Sequence, residues 1–96
     1  MSIKIGSVVT RNKVFLAPLS GVTDEPFRVI AHERGAGLVV SEMVASEMLV
    51  KERRDMVRRT RGANSISPFV IQLAGRETKW MAEGARIAQD LGADII

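Results

Sequence analysis

The sequence predicts an α/β fold in which short parallel strands alternate with helices. Apolar runs rich in β-branched residues recur along the chain, and helix-like segments lie between them. Strands spaced in this way pair in parallel, because each helix carries the chain back to the start of the next strand. A second observation is the final GADII, where Gly92 is typical of a helix stop and Asp94–Ile96 begins another apolar run. The predicted order is therefore β-α-β-α-β-α-β.

Two architectures accommodate this order, an open doubly wound sheet and a (β/α)8 TIM barrel. A complete barrel takes about 250 residues, whereas this sequence has 96. In the barrel interpretation, residues 1–96 are an incomplete domain that supplies the first three βα units and the start of the fourth strand.

The first elements are predicted from two β-branched runs, Ile3–Val9 and Lys13–Ala17, which Thr10–Asn12 separate. We expect an N-terminal β-hairpin or paired ribbon that leads into a buried strand.

A helix is predicted next, over Glu25–Arg34. Thr23 or Asp24 is suited to cap its N-terminus, and Pro26 fits the first turn, where a missing N–H costs nothing. Its predicted apolar face consists of Phe27, Ile30 and Ala31.

Leu38–Val40 and Phe69–Leu73 are continuous apolar runs of the kind found in strands buried on both faces of a parallel sheet. Between them, Val44–Arg61 has a broken helical pattern, and residues 62–68 form a loop of Gly, Asn, Ser and Pro. Glu77–Leu91 is predicted to be a helix. Its apolar stripe consists of Met81, Ala85, Ala88 and Leu91.

The composition excludes several classes of protein and site. An apolar share of 46% and a charged share of 26% are ordinary for a globular protein. No apolar run approaches the ~20 residues that span a membrane, and the N-terminus has no apolar signal core, so we expect a cytoplasmic location and no membrane association. With no cysteine and one histidine, disulfides and thiolate chemistry are excluded within these residues, and we expect no metal site.

Polar groups follow the predicted strands at the end where βα folds bind ligands. The turn Pro18–Gly21 can bring main-chain atoms close to a flat ring, although Pro and Gly are also common turn residues. Gln72 lies in a run predicted to be buried, so its amide needs partners, either a heteroaromatic edge or a core group. Glu42 is a candidate acid/base group, substrate acceptor or arginine partner, and the sequence leaves these alternatives open.

The stretch Lys51–Arg61 is basic, since six Lys and Arg side chains there face only Glu52 and Asp55. Such a stretch can attract a phosphate backbone. A solvated helix face is the commoner role of a charge run.

Four segments together resemble the bacterial tRNA-dihydrouridine synthases: APLSGVTDEPFR from Ala17, GAGLVVSEM from Gly35, IQLAG from Ile71, and Ala82–Ile96 with its final GADII. The resemblance implies an FMN-dependent (β/α)8 barrel with a helical domain behind it. It also implies that NADPH reduces the flavin, that hydride passes to C6 of a uracil in tRNA, and that a cysteine protonates C5. The barrel is accordingly the expected fold.

By the same resemblance, Pro18, Leu19 and Ser20 match the loop that contacts FMN, and Gln72 matches the flavin-binding glutamine. Leu19 stands where Met is usual and Ser20 where Ala is frequent. The family's Asn-x-x-Cys-Pro segment would begin beyond Ile96, so no catalytic residue is expected within these residues. We expect the chain alone to be inactive and prone to self-association.

Two alternatives stand beside this interpretation. One is a different FMN-binding barrel, such as a relative of dihydroorotate dehydrogenase. The other is a small non-catalytic α/β module that binds RNA through Lys51–Arg61, although that stretch contains no aromatic residue on which a base would stack.

Overall fold

A computed structural model describes residues 1–96. Its elements are β1 Lys4–Ile5, β2 Val8–Val9, β3 Phe15–Leu16, α1 Glu25–Glu33, β4 Leu38–Val40, β5 Val44–Ala45, α2 Ser46–Val50, α3 Arg54–Arg59, β6 Phe69–Val70, β7 Leu73–Ala74 and α4 Thr78–Asp90. This order confirms the predicted mixed α/β fold. None of the helices is long and apolar enough to cross a membrane.

The main sheet is parallel and keeps its strands in chain order. β3 pairs with β4, β4 pairs with β6, and Ile95 forms a parallel bridge to Val70 of β6. Each strand therefore lies beside the next one along the chain. The two common doubly wound orders differ from this arrangement, because they place the fourth strand beside the first or the first between the second and third.

The core lies between this sheet and the helices. Its buried members are Val39, Val44, Leu49, Met56, Ile66, Phe69, Ile71 and Ala88. Helix α4 packs closely on α2 at Gly84, where a Cβ would lie 3.0 Å from Cβ of Ser46. The bounds of α4 confirm the predicted helix to within one residue at each end. Its predicted stripe is correct at buried Ala88 and wrong at Leu91, which is exposed.

The N-terminal hairpin lies wholly within the first predicted run. β1 and β2 pair antiparallel about a turn at Gly6, whose φ of 60° is left-handed and readily adopted by glycine. Thr10–Asn12, expected to be the turn, instead binds the end of α1: the Asn12 side chain donates to the carbonyl of Gly35 at 2.6 Å. The strand that follows was expected to be buried, but β3 is an edge strand and Phe15 is 43% exposed.

Helix α1 begins at the Asp24 cap, whose carboxylate accepts from the N–H of Phe27 at 3.0 Å. The predicted apolar face is wrong in two of its three residues. Phe27 and Ile30 are exposed, and the buried residue is Arg28, only 1% exposed. Ala31 does pack against the core. Arg28 can face the interior because its guanidinium donates to carbonyl groups there.

Two predicted elements divide into shorter ones. The region Val44–Arg61 contains β5, α2 and α3, and the two helices are separated by Glu52 in a left-handed conformation with φ of 58°. The predicted strand Phe69–Leu73 divides into β6 and β7, because the chain leaves β4 after Val70 and pairs with β5 from Leu73 onward.

Candidate ligand-binding cleft at the strand ends

The carboxyl ends of β3, β4 and β6 converge on a cleft of about 220 Å³. We call it the inner cleft, and its lining consists of Pro18, Ser20, Glu42, Met43, Arg59 and Gln72. Three of the four predicted site residues, Pro18, Ser20 and Gln72, are thus brought together from distant parts of the sequence. Leu19 lies in the same loop, but it is 48% exposed and does not line the inner cleft.

The loop after β3 is held in shape by Thr23. The Leu19 N–H donates to Thr23 Oγ1 at 3.0 Å, and Thr23 Oγ1 donates to the Leu19 carbonyl at 3.1 Å. Thr23 itself is 1% exposed. At the tip, Gly21 has a φ of 73°, which glycine adopts without strain. These two hydrogen bonds and the left-handed glycine define the shape of the loop.

Gln72 was expected to be buried, and that prediction is wrong. Its neighbour Ile71 is fully buried, and alternation along extended chain places Gln72 on the exposed side. The Gln72 main chain is nevertheless fixed on both sides, since its N–H donates to Ser41 Oγ at 3.0 Å and its carbonyl accepts from Val44 N–H at 2.8 Å. A fixed backbone with a side chain in the cleft lining leaves the amide available to a ligand.

Glu42 is the buried polar group of the site. It is 9% exposed, its Oε1 accepts from the Gly21 N–H at 2.5 Å, and its Oε2 lies 3.6 Å from Arg59 Nε. Of the roles left open by the sequence, the structure therefore shows the partnership with an arginine. It adds a second role, since Glu42 ties the loop after β3 to the end of β4.

Arg59 and Arg28 complete the polar layer of the cleft. Arg59 Nη1 donates to the Met43 carbonyl at 2.8 Å. Behind it, Arg28 donates from Nη2 to the Arg59 carbonyl and from Nε to the Thr23 carbonyl, each at 3.2 Å. Burial lowers the pKa of the Arg28 guanidinium. Nearby carboxylates oppose that shift, namely Glu25, Asp24 and Glu42.

Sequence reasoning placed neither arginine in this cleft. Arg59 lies in the basic stretch, for which phosphate attraction and a solvated helix face were both left open, and Arg28 lies on a helix whose apolar pattern indicated another face. The only indication in the sequence was that Glu42 could pair with an arginine, and the sequence did not indicate which arginine.

The basic stretch is divided by the fold. Arg58, Arg59 and Arg61 line a second cleft of about 440 Å³, which we call the outer cleft. Its other lining residues are Asp24, Glu25, Pro26, Glu42 and Asp55. At the start of the stretch, Lys51 pairs with Glu47 at 2.8 Å. Carboxylates thus balance the arginines locally, and the stretch does not form one uniform basic surface.

Comparison with known proteins gives a consistent result. The sequence model of the family described as Dihydrouridine synthase (Dus) matches residues 15–96. A probable tRNA-dihydrouridine synthase of Rhizobium leguminosarum bv. phaseoli is 58% identical over 86 residues, which cover 90% of this chain and 27% of that protein. A probable tRNA-dihydrouridine synthase of Rhodobacter capsulatus is 46% identical over 97 residues, which cover 100% of this chain and 30% of that protein.

The tRNA-dihydrouridine synthase B of Pseudomonas syringae pv. tomato is 43% identical over 95 residues, which cover 99% of this chain and 28% of that protein. The chain thus spans 27% to 30% of the length of these three relatives. No solved structure gave a significant match. Since the family model covers the chain from β3 to its last residue, the protein belongs to the dihydrouridine synthase family.

Proposed function

We propose that residues 1–96 are the N-terminal part of a (β/α)8 barrel enzyme that reduces uridine to 5,6-dihydrouridine in tRNA. The inner cleft carries the proposal, because it unites Pro18, Ser20 and Gln72 at the strand ends where βα enzymes bind their ligands. The barrel is supported by the sequential strand order and by the parallel bridge of Ile95 to β6. The remainder of the barrel and the helical domain belong to the rest of the protein.

The inner cleft fits the flavin that the family implies. The Gln72 amide offers a donor and an acceptor to a heteroaromatic edge, and the Ser20 hydroxyl offers both as well. Nothing lies within 4 Å of the place where a Cβ would stand at Gly21, so the loop tip is open to a flat ring. Pro18, Ser20 and Gln72 would hold FMN from the cleft lining, and Leu19, which the resemblance matches to the same loop, would contact it from outside that lining. The chemistry supplied by bound FMN is hydride transfer, with NADPH as the reductant.

The described residues serve binding and not proton transfer in this proposal. They include no cysteine, so the acid that protonates uracil C5 lies in another part of the protein. The chain alone is therefore inactive. The tRNA substrate places the enzyme in the cytoplasm, and the proposed reaction uses no metal ion.

Family membership favours this function over a dihydroorotate dehydrogenase-like oxidoreductase. It likewise favours an enzyme over a non-catalytic RNA-binding module. The names of the relatives, which specify tRNA-dihydrouridine synthases, point the same way.

The test uses the full-length protein. We expect it to bind FMN, to oxidise NADPH, and to form dihydrouridine in tRNA that lacks the modification. Gln72→Ala removes one hydrogen-bonding group, worth about 0.5–1.5 kcal/mol, so FMN affinity should fall about 2- to 12-fold. The matched control is Gln89→Ala, an exposed glutamine on α4. Unchanged affinity in a folded Gln72→Ala protein would remove Gln72 from the site, and absence of dihydrouridine would refute the function.

A further inference from the structure

Arg59 is the one cation in the lining of the inner cleft, and it is held there from several directions. Its Nε lies 3.6 Å from Glu42 Oε2, and its Nη1 donates to the Met43 carbonyl at 2.8 Å. Its own carbonyl accepts from the buried Arg28. The protein therefore fixes the Arg59 backbone and engages two of the three guanidinium nitrogens, Nε and Nη1.

The rest of that guanidinium is unused by the protein. Arginine carries five N–H donors in a rigid fork, and its Nη2 group has no protein partner here. The side chain is 33% exposed and lies in the same lining as Pro18, Ser20 and Gln72. A guanidinium held at Nε and Nη1 can donate from its free Nη2 to a ligand without first losing side-chain freedom.

We propose that Arg59 binds a ring carbonyl of a pyrimidinedione in the inner cleft, and that Glu42 is the positioning residue that holds it there. This inference rests on the proposed function. A pyrimidinedione presents two carbonyl acceptors on either side of a ring N–H, and planar N–H donors on a guanidinium match a carbonyl oxygen. The flavin ring and uracil both contain this group, so the chemistry is shared by cofactor and substrate.

Glu42 contributes in two ways. Its Oε2 faces Arg59, and its Oε1 holds the Gly21 N–H of the loop after β3. The single buried carboxylate of Glu42 thus sets the distance between the loop after β3 and Arg59. Because its two oxygens face these two neighbours, a change at Glu42 is expected to reach the ligand through them.

The experiment compares Arg59→Met, Arg59→Lys and Glu42→Gln in the full-length protein. The matched control is Arg86→Met, an exposed arginine on α4 that pairs with Glu83. The measurements are FMN affinity, the midpoint potential of the bound flavin, and the KM for tRNA. Arg59→Met removes a charge-assisted hydrogen bond, so either the FMN affinity or the KM for tRNA should change at least about tenfold. Arg59→Lys should change the same quantity by less.

If the flavin dione is the ligand, FMN affinity falls about tenfold or more. The midpoint potential also falls, because a cation stabilises the electron-rich reduced ring. If the uracil dione is the ligand, both flavin properties stay at the parent value and the KM for tRNA rises about tenfold. Glu42→Gln should move the same quantity in the same direction by less. The more conservative Arg59→Lys serves this test if Arg59→Met does not fold.

The inference is overturned if folded Arg59 variants keep the parent FMN affinity, potential and KM. It is also overturned if Arg86→Met moves these quantities as much as Arg59→Met. Either result leaves the proposed function standing, provided that the parent protein binds FMN and forms dihydrouridine. A parent protein that does neither refutes the proposed function itself.

Discussion

The two sides of this molecule differ in how completely the chain pairs or covers their side chains. On the cleft side, the polar groups of Thr23, Glu42 and Arg28 all have partners, and no buried side-chain nitrogen or oxygen in the chain lacks one. On the side of β3 and α1, large apolar residues face solvent, with Val14 at 66% and Ile30 at 55% exposure. The buried polar groups behind the cleft are thus paired within this chain, whereas the large apolar side chains beside β3 and on α1 are not covered by it. This contrast is expected of a chain that spans 27% to 30% of its relatives.

The largest expected effect concerns the apolar side. The 96-residue chain alone should self-associate, because edge strand β3 offers unpaired backbone groups and its neighbourhood exposes apolar side chains. Sedimentation velocity should show species larger than a monomer. Val14→Lys with Ile30→Glu should shift the distribution toward the monomer, while Lys4→Glu, at an already polar exposed site, should not. A monodisperse, monomeric parent chain with cooperative melting would contradict the expected self-association through the apolar side.

The next effect concerns the polar network behind the cleft. In the full-length protein, Arg28→Met would leave the carbonyls of Thr23 and Arg59 without their donors. Unpaired buried groups cost about 1–3 kcal/mol each, so the free energy of unfolding should fall by about 3 kcal/mol. Arg86→Met, which breaks an exposed pair, should change it by less than about 1 kcal/mol.

The free energy of unfolding of both variants is measured by chemical denaturation, with one slope against denaturant concentration fitted to both. Equal stabilities of the two variants would mean that the cleft side does not depend on Arg28. Hydrophobic burial alone would favour Arg28→Met, because a long apolar side chain replaces a charged one in a buried place. The two lost hydrogen bonds are expected to outweigh that gain and destabilise the protein.

The elements that could be predicted from sequence are those governed by local rules. The helix stop at Gly92, the cap at Asp24 and the periodic pattern of α4 are all local, and the structure confirms them. β5 was missed because its two residues lie in a stretch with a helix-like pattern, and β7 was not separated from β6 because the apolar run Phe69–Leu73 is continuous. The site residues expected from the resemblance did converge, except for the Leu19 side chain.

What could not be predicted depends on distant contacts. Arg28 is buried because carbonyls from two other segments accept its N–H groups, and hydrophobic patterning assigns arginine to the surface. Glu42 and Arg59 form an ion pair, although β5, α2 and most of α3 lie between them in the sequence. Gln72 is exposed because Ile71 takes the core position beside it.

The smallest expected effect concerns the outer cleft, where arginines and carboxylates nearly balance. Arg58 and Arg61 are exposed and have no ion pair, whereas Arg59 is engaged with Glu42, so the first two are the candidates for phosphate contact. Each phosphate contact that is lost lowers the slope of log affinity against log salt by about one unit. Arg58→Ala with Arg61→Ala should therefore weaken tRNA binding and flatten that slope by at most about two units.

Under the proposed function, reduction of the flavin by NADPH provides the internal control, because Arg58 and Arg61 lie outside the proposed flavin site and its rate should stay at the parent value. Arg86→Ala provides the matched removal of an exposed arginine elsewhere. The carboxylates of Asp24, Glu25 and Asp55 line the same outer cleft and repel phosphate, so the effect should lie below the upper bound. A salt slope that stays at the parent value in the double variant would assign these arginines to a solvated face and leave recognition of tRNA to the inner cleft and the rest of the protein.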